Sequence, residues 1–142
     1  MAHRGGERPP SHATSGVCGS AATTGSTAPR LGKVNFRMAT ETQVGNAGER
    51  IVASWLSAKG WATNIDTRGP GSTDIEGRGA NGGLLVQVKT AMAPGVPPRL
   101  SGDEEGSIRA RAGRLRWDAY EARVQVDPYL RRVGDIGWRK LT

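Results

Sequence analysis

The chain has 142 residues and a formal net charge of +7, which indicates an anionic partner, and it contains two His residues and one Cys. Because His3, His12 and Cys18 all lie near the start of the sequence, the remainder offers no His for a catalytic triad and no Cys for a disulfide or a zinc site. The sequence has no run of about 20 apolar residues, so we expect a soluble, cytoplasmic protein with no membrane partner.

Residues 1–39 have the composition of a disordered N-terminal tail, and residues 40–142 that of one folded domain. The tail is rich in Gly, Pro, Ser, Thr and Ala, so it buries too little apolar surface to offset an ordering entropy of about 1–2 kcal/mol per residue. Residues 1–37 carry five Lys or Arg and one Glu, whereas residues 38–142 carry 15 basic and 12 acidic residues. Met38 marks the boundary and is a candidate start of the protein. The alternative is a flexible basic arm that helps to hold nucleic acid.

Residues 44–59 predict a helix with one buried face. Gly60 follows as its C-terminal cap. Glu49 borders the buried stripe, so it is either a solvated residue or part of a site beneath the helix. The apolar residues that recur at three- and four-residue steps are Val44, Ala47, Ile51, Val52, Trp55 and Leu56.

Three strands are predicted next, at residues 61–66, 72–77 and 84–90. In the third strand Gln87 and Lys89 share one face, opposite a row of apolar residues. The Gly-rich link at residues 77–83 would fold the second and third strands into an antiparallel pair, so that Asp74 meets Gln87 and Lys89. Glu76 shares a face with Asp74 and is either a further metal ligand or an exposed acid at a strand end.

The rest of the chain predicts a loop, a second helix and a hairpin. Ser101 and Glu104 form a capping-box pattern at the start of the helix. Its inward positions would be Ile108, Ala112 and Leu115. Alternation at residues 120–126 and 136–139, with a turn at residues 127–128, predicts two further strands. We therefore expect an α/β fold with a mixed central sheet of about five strands flanked by two helices, in the order α-β-β-β-α-β-β.

The pattern of Glu49, Asp74 and the tripeptide at residues 87–89 resembles the PD-(D/E)XK nuclease superfamily. In that superfamily an Asp and an acidic-X-Lys tripeptide lie on neighbouring strands beneath a helix that carries a Glu. Gln87 replaces the acidic residue, and this variant is similar to the Mrr-type restriction endonucleases. The start of the first helix and residues 71–74 are also similar to the archaeal Holliday-junction resolvases. The resemblance covers about residues 43–141 and implies a restriction-endonuclease-like core.

The resemblance implies a DNA endonuclease that hydrolyses phosphodiester bonds with Mg²⁺ or Mn²⁺. The implied catalytic residues are Glu49, Asp74, Gln87 and Lys89. The implied metal ligands are Asp74, the amide oxygen of Gln87 and the backbone carbonyl of Val88, all hard oxygen donors. The implied DNA contacts are Ser72, Thr73, Arg109, Arg111 and Arg116, although the Arg residues would look the same on a solvated helix face.

Gln87 also leaves other functions open. One alternative is a structure-selective nuclease similar to Holliday-junction resolvases. Another is a DNA-binding module that has lost catalysis, because the missing carboxylate weakens metal binding. A third is that Asp74 and Lys89 form a structural ion pair. The domain is too small for a separate target-reading unit, so selectivity would come from DNA shape, a partner protein or a homodimer.

Overall fold

The structure is a computed structural model and describes residues 8–11, 39–66 and 74–142. Helix α1 spans Glu41–Ala58. It begins three residues before the predicted start because Thr40 and Gln43 form a capping box, in which each side chain bonds the other's backbone N–H. It ends where predicted, since Gly60 has a φ of 96°.

Five strands form one mixed sheet. They are β1 (Ala62–Ile65), β2 (Ile75–Gly79), β3 (Gly82–Met92), β4 (Asp118–Val126) and β5 (Gly137–Lys140). The strands lie in the order β1-β2-β3-β4-β5, and only the β3–β4 pair is parallel. Helix α2 (Gly102–Leu115) makes the crossover that a parallel pair requires. The predicted α/β class, strand number and element order are confirmed.

Alternation along β3 places the two helices on opposite faces of the sheet. Val86 and Val88 pack in the core with α1, whereas Leu85 packs in a smaller core with Ile108 and Ala112 of α2. Gln87 and Lys89 therefore lie on the α2 face, because successive side chains of a strand point to opposite sides.

Helix α2 begins as the sequence predicts but differs at its end. Ser101 and Glu104 form the capping box, and Ile108 and Ala112 are buried. Leu115 is 41% exposed, so its predicted inward position is wrong. The reason is that the helix ends there: the next residue is left-handed with a φ of 59°, and Trp117 packs against the α2 core instead.

A short part of the predicted tail contacts the domain. Pro10 is buried, and the indole N–H of Trp61 donates to the carbonyl of Ser11 at 3.0 Å. Residues 8–11 thus have a contact that the prediction of a disordered tail did not include. The other tail residues up to Met38 lie outside the described part. None of the described helices is long and apolar enough to cross a membrane.

Candidate active site

Asp74 immediately precedes β2 and is hydrogen-bonded directly to β3. Ile75 pairs with Val86 in the antiparallel register, which brings Asp74 opposite the next two residues of β3. Its Oδ2 accepts hydrogen bonds from the backbone N–H of Val88 at 2.8 Å and from Nε2 of Gln87 at 3.1 Å. The structure therefore brings Asp74 and Gln87 together. Gln87 uses its amide NH₂ for this contact, which leaves its amide oxygen as an acceptor.

Lys89 lies on the same face as Gln87, and its closest partner is an acid from α2. Its Nζ donates to Oε2 of Glu104 at 2.7 Å. The other carboxylate oxygen, Oε1, accepts from the backbone N–H of Ser101 at 2.9 Å, so Glu104 joins the start of α2 to the Lys89 ammonium. The lysine charge also acts on Asp74, where it partly offsets the rise in pKa that burial causes.

Glu49 approaches the site because α1 lies very close to β3 at the preceding residue. A Cβ on Gly48 would lie 1.8 Å from Oγ1 of Thr90, so only glycine allows this approach. The Thr90 hydroxyl is buried and has no hydrogen-bond partner within the described ranges. Glu49, next to Gly48, is half-buried, which raises its pKa, and lies close enough to Asp74 for the Asp74 charge to raise that pKa further.

The carboxyl groups of the site are held in a partly desolvated, mutually repelling arrangement. Burial raises the pKa of Asp74, and the Glu104 and Asp66 charges raise it further against the lowering effects of the Val88 N–H and Lys89. Burial, and then the charge of Asp74, raise the pKa of Glu49. A bound cation would relieve both effects, because it favours the ionised form of each carboxyl group.

The donor atoms of this site suit a hard divalent cation. Two carboxylates, an amide oxygen and a backbone carbonyl, from Asp74, Glu49, Gln87 and Val88, are oxygen ligands of the kind that Mg²⁺ and Mn²⁺ prefer. Among residues 8–11, 39–66 and 74–142, no three His, Cys, Asp or Glu side chains are grouped so that they could hold a metal ion. The predicted ligand set of Asp74, Gln87 and Val88 differs from such a group because two of its three donors are not carboxylates.

A solved structure shares this architecture. Over 68% of this chain and 72% of its own, Hjc, a Holliday junction resolvase from the archaeal hyperthermophile Archaeoglobus fulgidus, superposes with a TM-score of 0.55 and 22% sequence identity. The chain has a restriction-endonuclease-like fold. No protein-family model and no curated protein matches the sequence. The restriction-endonuclease-like fold, with Asp74 bonded to β3, is thus established by structure rather than by sequence similarity.

The DNA-contact residues predicted for this fold have different surroundings. Ser72 and Thr73 lie outside the described residues. Arg109 bonds the carbonyl of Leu141 at 2.8 Å and is 2.6 Å from Glu105. Arg116 is exposed at the end of α2. Each of these contacts with DNA stays a prediction.

Arg111 is engaged within the protein. It pairs with Glu76 and lies 3.9 Å from Asp66. The Glu76 side chain is only 16% exposed, so this residue is not the exposed strand-end acid that the sequence left as an option. Arg111 and Glu76 instead link α2 to β2 beside the candidate site.

Glu104 is the site residue that sequence reasoning missed. The sequence assigned it to helix capping, which is correct, but did not indicate its second contact with Lys89. A buried residue fixes its position: Glu121 is 1% exposed and accepts hydrogen bonds from the backbone N–H of Leu100 and from Arg139, both at 2.7 Å. Leu100 directly precedes the Ser101 cap, so β4 holds the start of α2. The signal in the sequence was an acid between the apolar residues Tyr120 and Ala122 of a strand.

Proposed function

We propose that this protein is a metal-dependent DNA endonuclease that hydrolyses phosphodiester bonds, of the Mrr-like restriction or DNA-processing type. The observation that carries the proposal is the hydrogen bonding of the Asp74 carboxylate to Gln87 and Val88 of β3, with Lys89 on the same face of the strand as Gln87. The proximity of these residues supports a PD-(D/E)XK-type site, and it occurs in a restriction-endonuclease-like fold. DNA fits the positive net charge of the chain.

Each residue of the site has a distinct role in this proposal. Asp74 and Glu49 would hold Mg²⁺ or Mn²⁺ with their carboxylates, aided by the amide oxygen of Gln87 and the carbonyl of Val88. Such an ion activates the attacking water and stabilises charge on the phosphate. Lys89 would orient the water and offset the negative charge that builds on the phosphate.

Glu104 would act on Lys89 when no substrate is present. The ion pair at 2.7 Å holds the ammonium on the α2 face, where a phosphate could replace the carboxylate as its partner. The side chains of Lys89 and Glu104 are 23% and 34% exposed, so the exchange needs no rearrangement of the core.

Two alternatives have specific support. Structural similarity to a Holliday junction resolvase favours a junction-selective nuclease. The neutral Gln87 and the ion-paired Lys89 favour a DNA-binding module without catalysis. A homodimer would suit both the Mrr-like and the junction-selective nuclease, because paired cuts on two strands require two active sites.

The deciding experiment is a cleavage panel with Mg²⁺ or Mn²⁺. The substrates are plasmid, methylated duplex, flap, four-way junction and single-stranded DNA, each tested with wild type, Asp74→Ala and Lys89→Ala. Asp135→Asn, which removes an exposed acid, is the matched control for charge. We expect cleavage by wild type and the control only, and the preferred substrate separates the Mrr-like from the junction-selective enzyme.

Two results would oppose the proposal. DNA binding without cleavage by wild type under either metal would identify a catalytically inactive module. Full cleavage by Asp74→Ala would show that the site is elsewhere. Substitution of Lys89 should leave DNA binding intact, which distinguishes a lost reaction from a lost complex.

A further inference from the structure

A cleft of about 330 Å³ opens where the C-terminal end of α2 faces β2. Its volume lies at the lower end of the roughly 300–1,000 Å³ range typical of ligand sites, so it suits one small group. The residues that line it are Glu76, Arg78, Arg111, Arg114, Leu115 and Trp117.

The cleft carries more positive than negative charge. Three guanidinium groups face one carboxylate, that of Glu76, which is paired with Arg111. Arg78 lies 3.9 Å from Glu76 with its side chain 71% exposed. Arg114 is exposed in the last turn of α2 and makes no ion pair with another described residue. Arg114 is therefore available to an anionic ligand, and Arg78 is held only by a long, exposed contact with Glu76 that an anionic ligand could replace.

Trp117 supplies a flat apolar wall with a cation beside it. Its indole packs against β3 at Gly83, where a Cβ would lie 2.4 Å from the ring. The guanidinium of Arg78 lies over the ring, 5.6 Å from its centroid, so a base that stacks on this face takes the place of the guanidinium. A fixed aromatic ring beside Arg side chains is the combination on which unpaired nucleic-acid bases stack.

The cleft adjoins the candidate active site. Arg111 lies at its inner end, 3.9 Å from Asp66. The backbone N–H of Asp66 donates to the carbonyl of Asp74 at 2.8 Å. A ligand in the cleft would thus sit close to the carboxylate proposed to hold the metal.

We propose that this cleft binds one unpaired nucleotide of a DNA strand, with its base against Trp117 and its phosphate between Arg78 and Arg114. The base needs the aromatic ring, and the phosphate needs exposed cations that are unpaired, as Arg114 is, or only weakly paired, as Arg78 is. The position of this nucleotide next to a cleaved bond rests on the proposed nuclease function. The binding of the nucleotide does not rest on it.

The test measures binding without cleavage, by fluorescence anisotropy of the full chain in EDTA. The probes are a labelled short oligothymidylate and a blunt duplex of the same length. Trp117→Leu is expected to weaken binding of the single strand by about tenfold, the usual loss when a stacked base loses its ring. Trp117→Phe should retain most of the affinity, and the duplex should bind all three proteins equally.

The Arg variants test the phosphate contact independently of Trp117 packing. Arg114→Gln and Arg78→Gln, both at exposed positions, should each reduce the salt slope for the single strand by about 0.7. The matched control is Arg50→Gln, an exposed residue on α1 across the sheet, which should leave the slope unchanged. Melting temperatures of all variants verify that each is folded.

Several results would overturn the proposed nucleotide site. One is that Trp117→Leu and Arg114→Gln bind the single strand with wild-type affinity. Another is that Arg50→Gln reduces the salt slope as much as the Arg variants of the cleft do, which would indicate a diffuse charge effect. Displacement of the oligonucleotide by thymidine monophosphate at equal nucleotide concentration would instead identify a free-nucleotide site. If wild type cleaves no DNA but these binding results hold, the nuclease function fails and the cleft stands.

Discussion

Replacement of Gln87 by Glu tests the candidate site most directly, because it introduces the acid that the proposed PD-(D/E)XK-type site lacks. In the present structure Nε2 of Gln87 donates to Oδ2 of Asp74 at 3.1 Å. Glutamate has no such donor, so the substitution places two carboxylate groups in contact. A hydrogen bond to a charged acceptor contributes about 1.5–3 kcal/mol to stability, and repulsion between the carboxylates adds to its loss.

We therefore expect Gln87→Glu to lower the free energy of unfolding by about 2 kcal/mol at pH 8 without metal. In a domain of this size, each kcal/mol lowers the melting temperature by about 4–8 °C. The pKa of Asp74 is already raised above its ordinary value of 3.8 by burial, and a second carboxylate would raise it further. Between the ordinary and the raised pKa the folded state binds more protons than the unfolded state, so the deficit should shrink as the pH falls through the raised pKa.

Metal should reverse the order of stability. A carboxylate binds Mg²⁺ or Mn²⁺ more strongly than an amide oxygen does, so saturating metal should stabilise Gln87→Glu more than wild type. Urea unfolding in EDTA and in Mn²⁺ measures both effects. Gln125→Glu is the matched control, since Nε2 of Gln125 also donates, to the carbonyl of Gly95 at 2.6 Å, but at an exposed place on β4. Equal stability of Gln87→Glu and wild type in EDTA, or equal stabilisation of both by Mn²⁺, would refute the proposed geometry.

Three further predictions concern the residues around this contact. Gly48→Ala should lower the free energy of unfolding by about 1–3 kcal/mol, because the added Cβ overlaps β3. Gly45→Ala has open space around it and should raise the free energy of unfolding by about 0.5–1 kcal/mol, and thermal unfolding compares the two variants. Glu104→Gln keeps the capping box but removes the charged partner of Lys89, so it should lower the free energy of unfolding by about 0.5–1 kcal/mol at pH values above the ordinary carboxyl pKa. This loss should vanish as the pH falls through the lowered pKa of Glu104, and a double-mutant cycle with Lys89→Met should show the coupling. Glu49→Gln should slightly stabilise the metal-free protein at neutral pH, because burial and the Asp74 charge raise the pKa of this carboxyl; solvent screening of the half-exposed group keeps the gain small. A pH series of melting temperatures should show the gain disappearing in acid.

Local sequence patterns were sufficient to predict the helices, the strands and the α/β class. The three- and four-residue spacing of apolar residues gave α1, and the capping box gave the start of α2 at Ser101. Alternation gave the strands, and the Gly-rich link gave the antiparallel β2–β3 pair. These signals are short-range, because helical period, strand alternation and capping each depend on residues within a few positions of one another. The antiparallel β2–β3 pairing was also enough to predict that Asp74 lies next to Gln87.

Contacts between distant segments were decided only by the tertiary structure. The same capping Glu104 meets Lys89 because α2 crosses over β3, and the sequence has no local mark of that crossing. Glu76 pairs with Arg111 of α2, although its place near a strand end suggested exposure. Leu115 fits the helical period yet is exposed, since the helix ends at this residue and Trp117 packs against the smaller core instead. Periodicity determines which face of an element is apolar, but which charged residues meet across faces depends on how the elements pack, and that is a property of the whole chain.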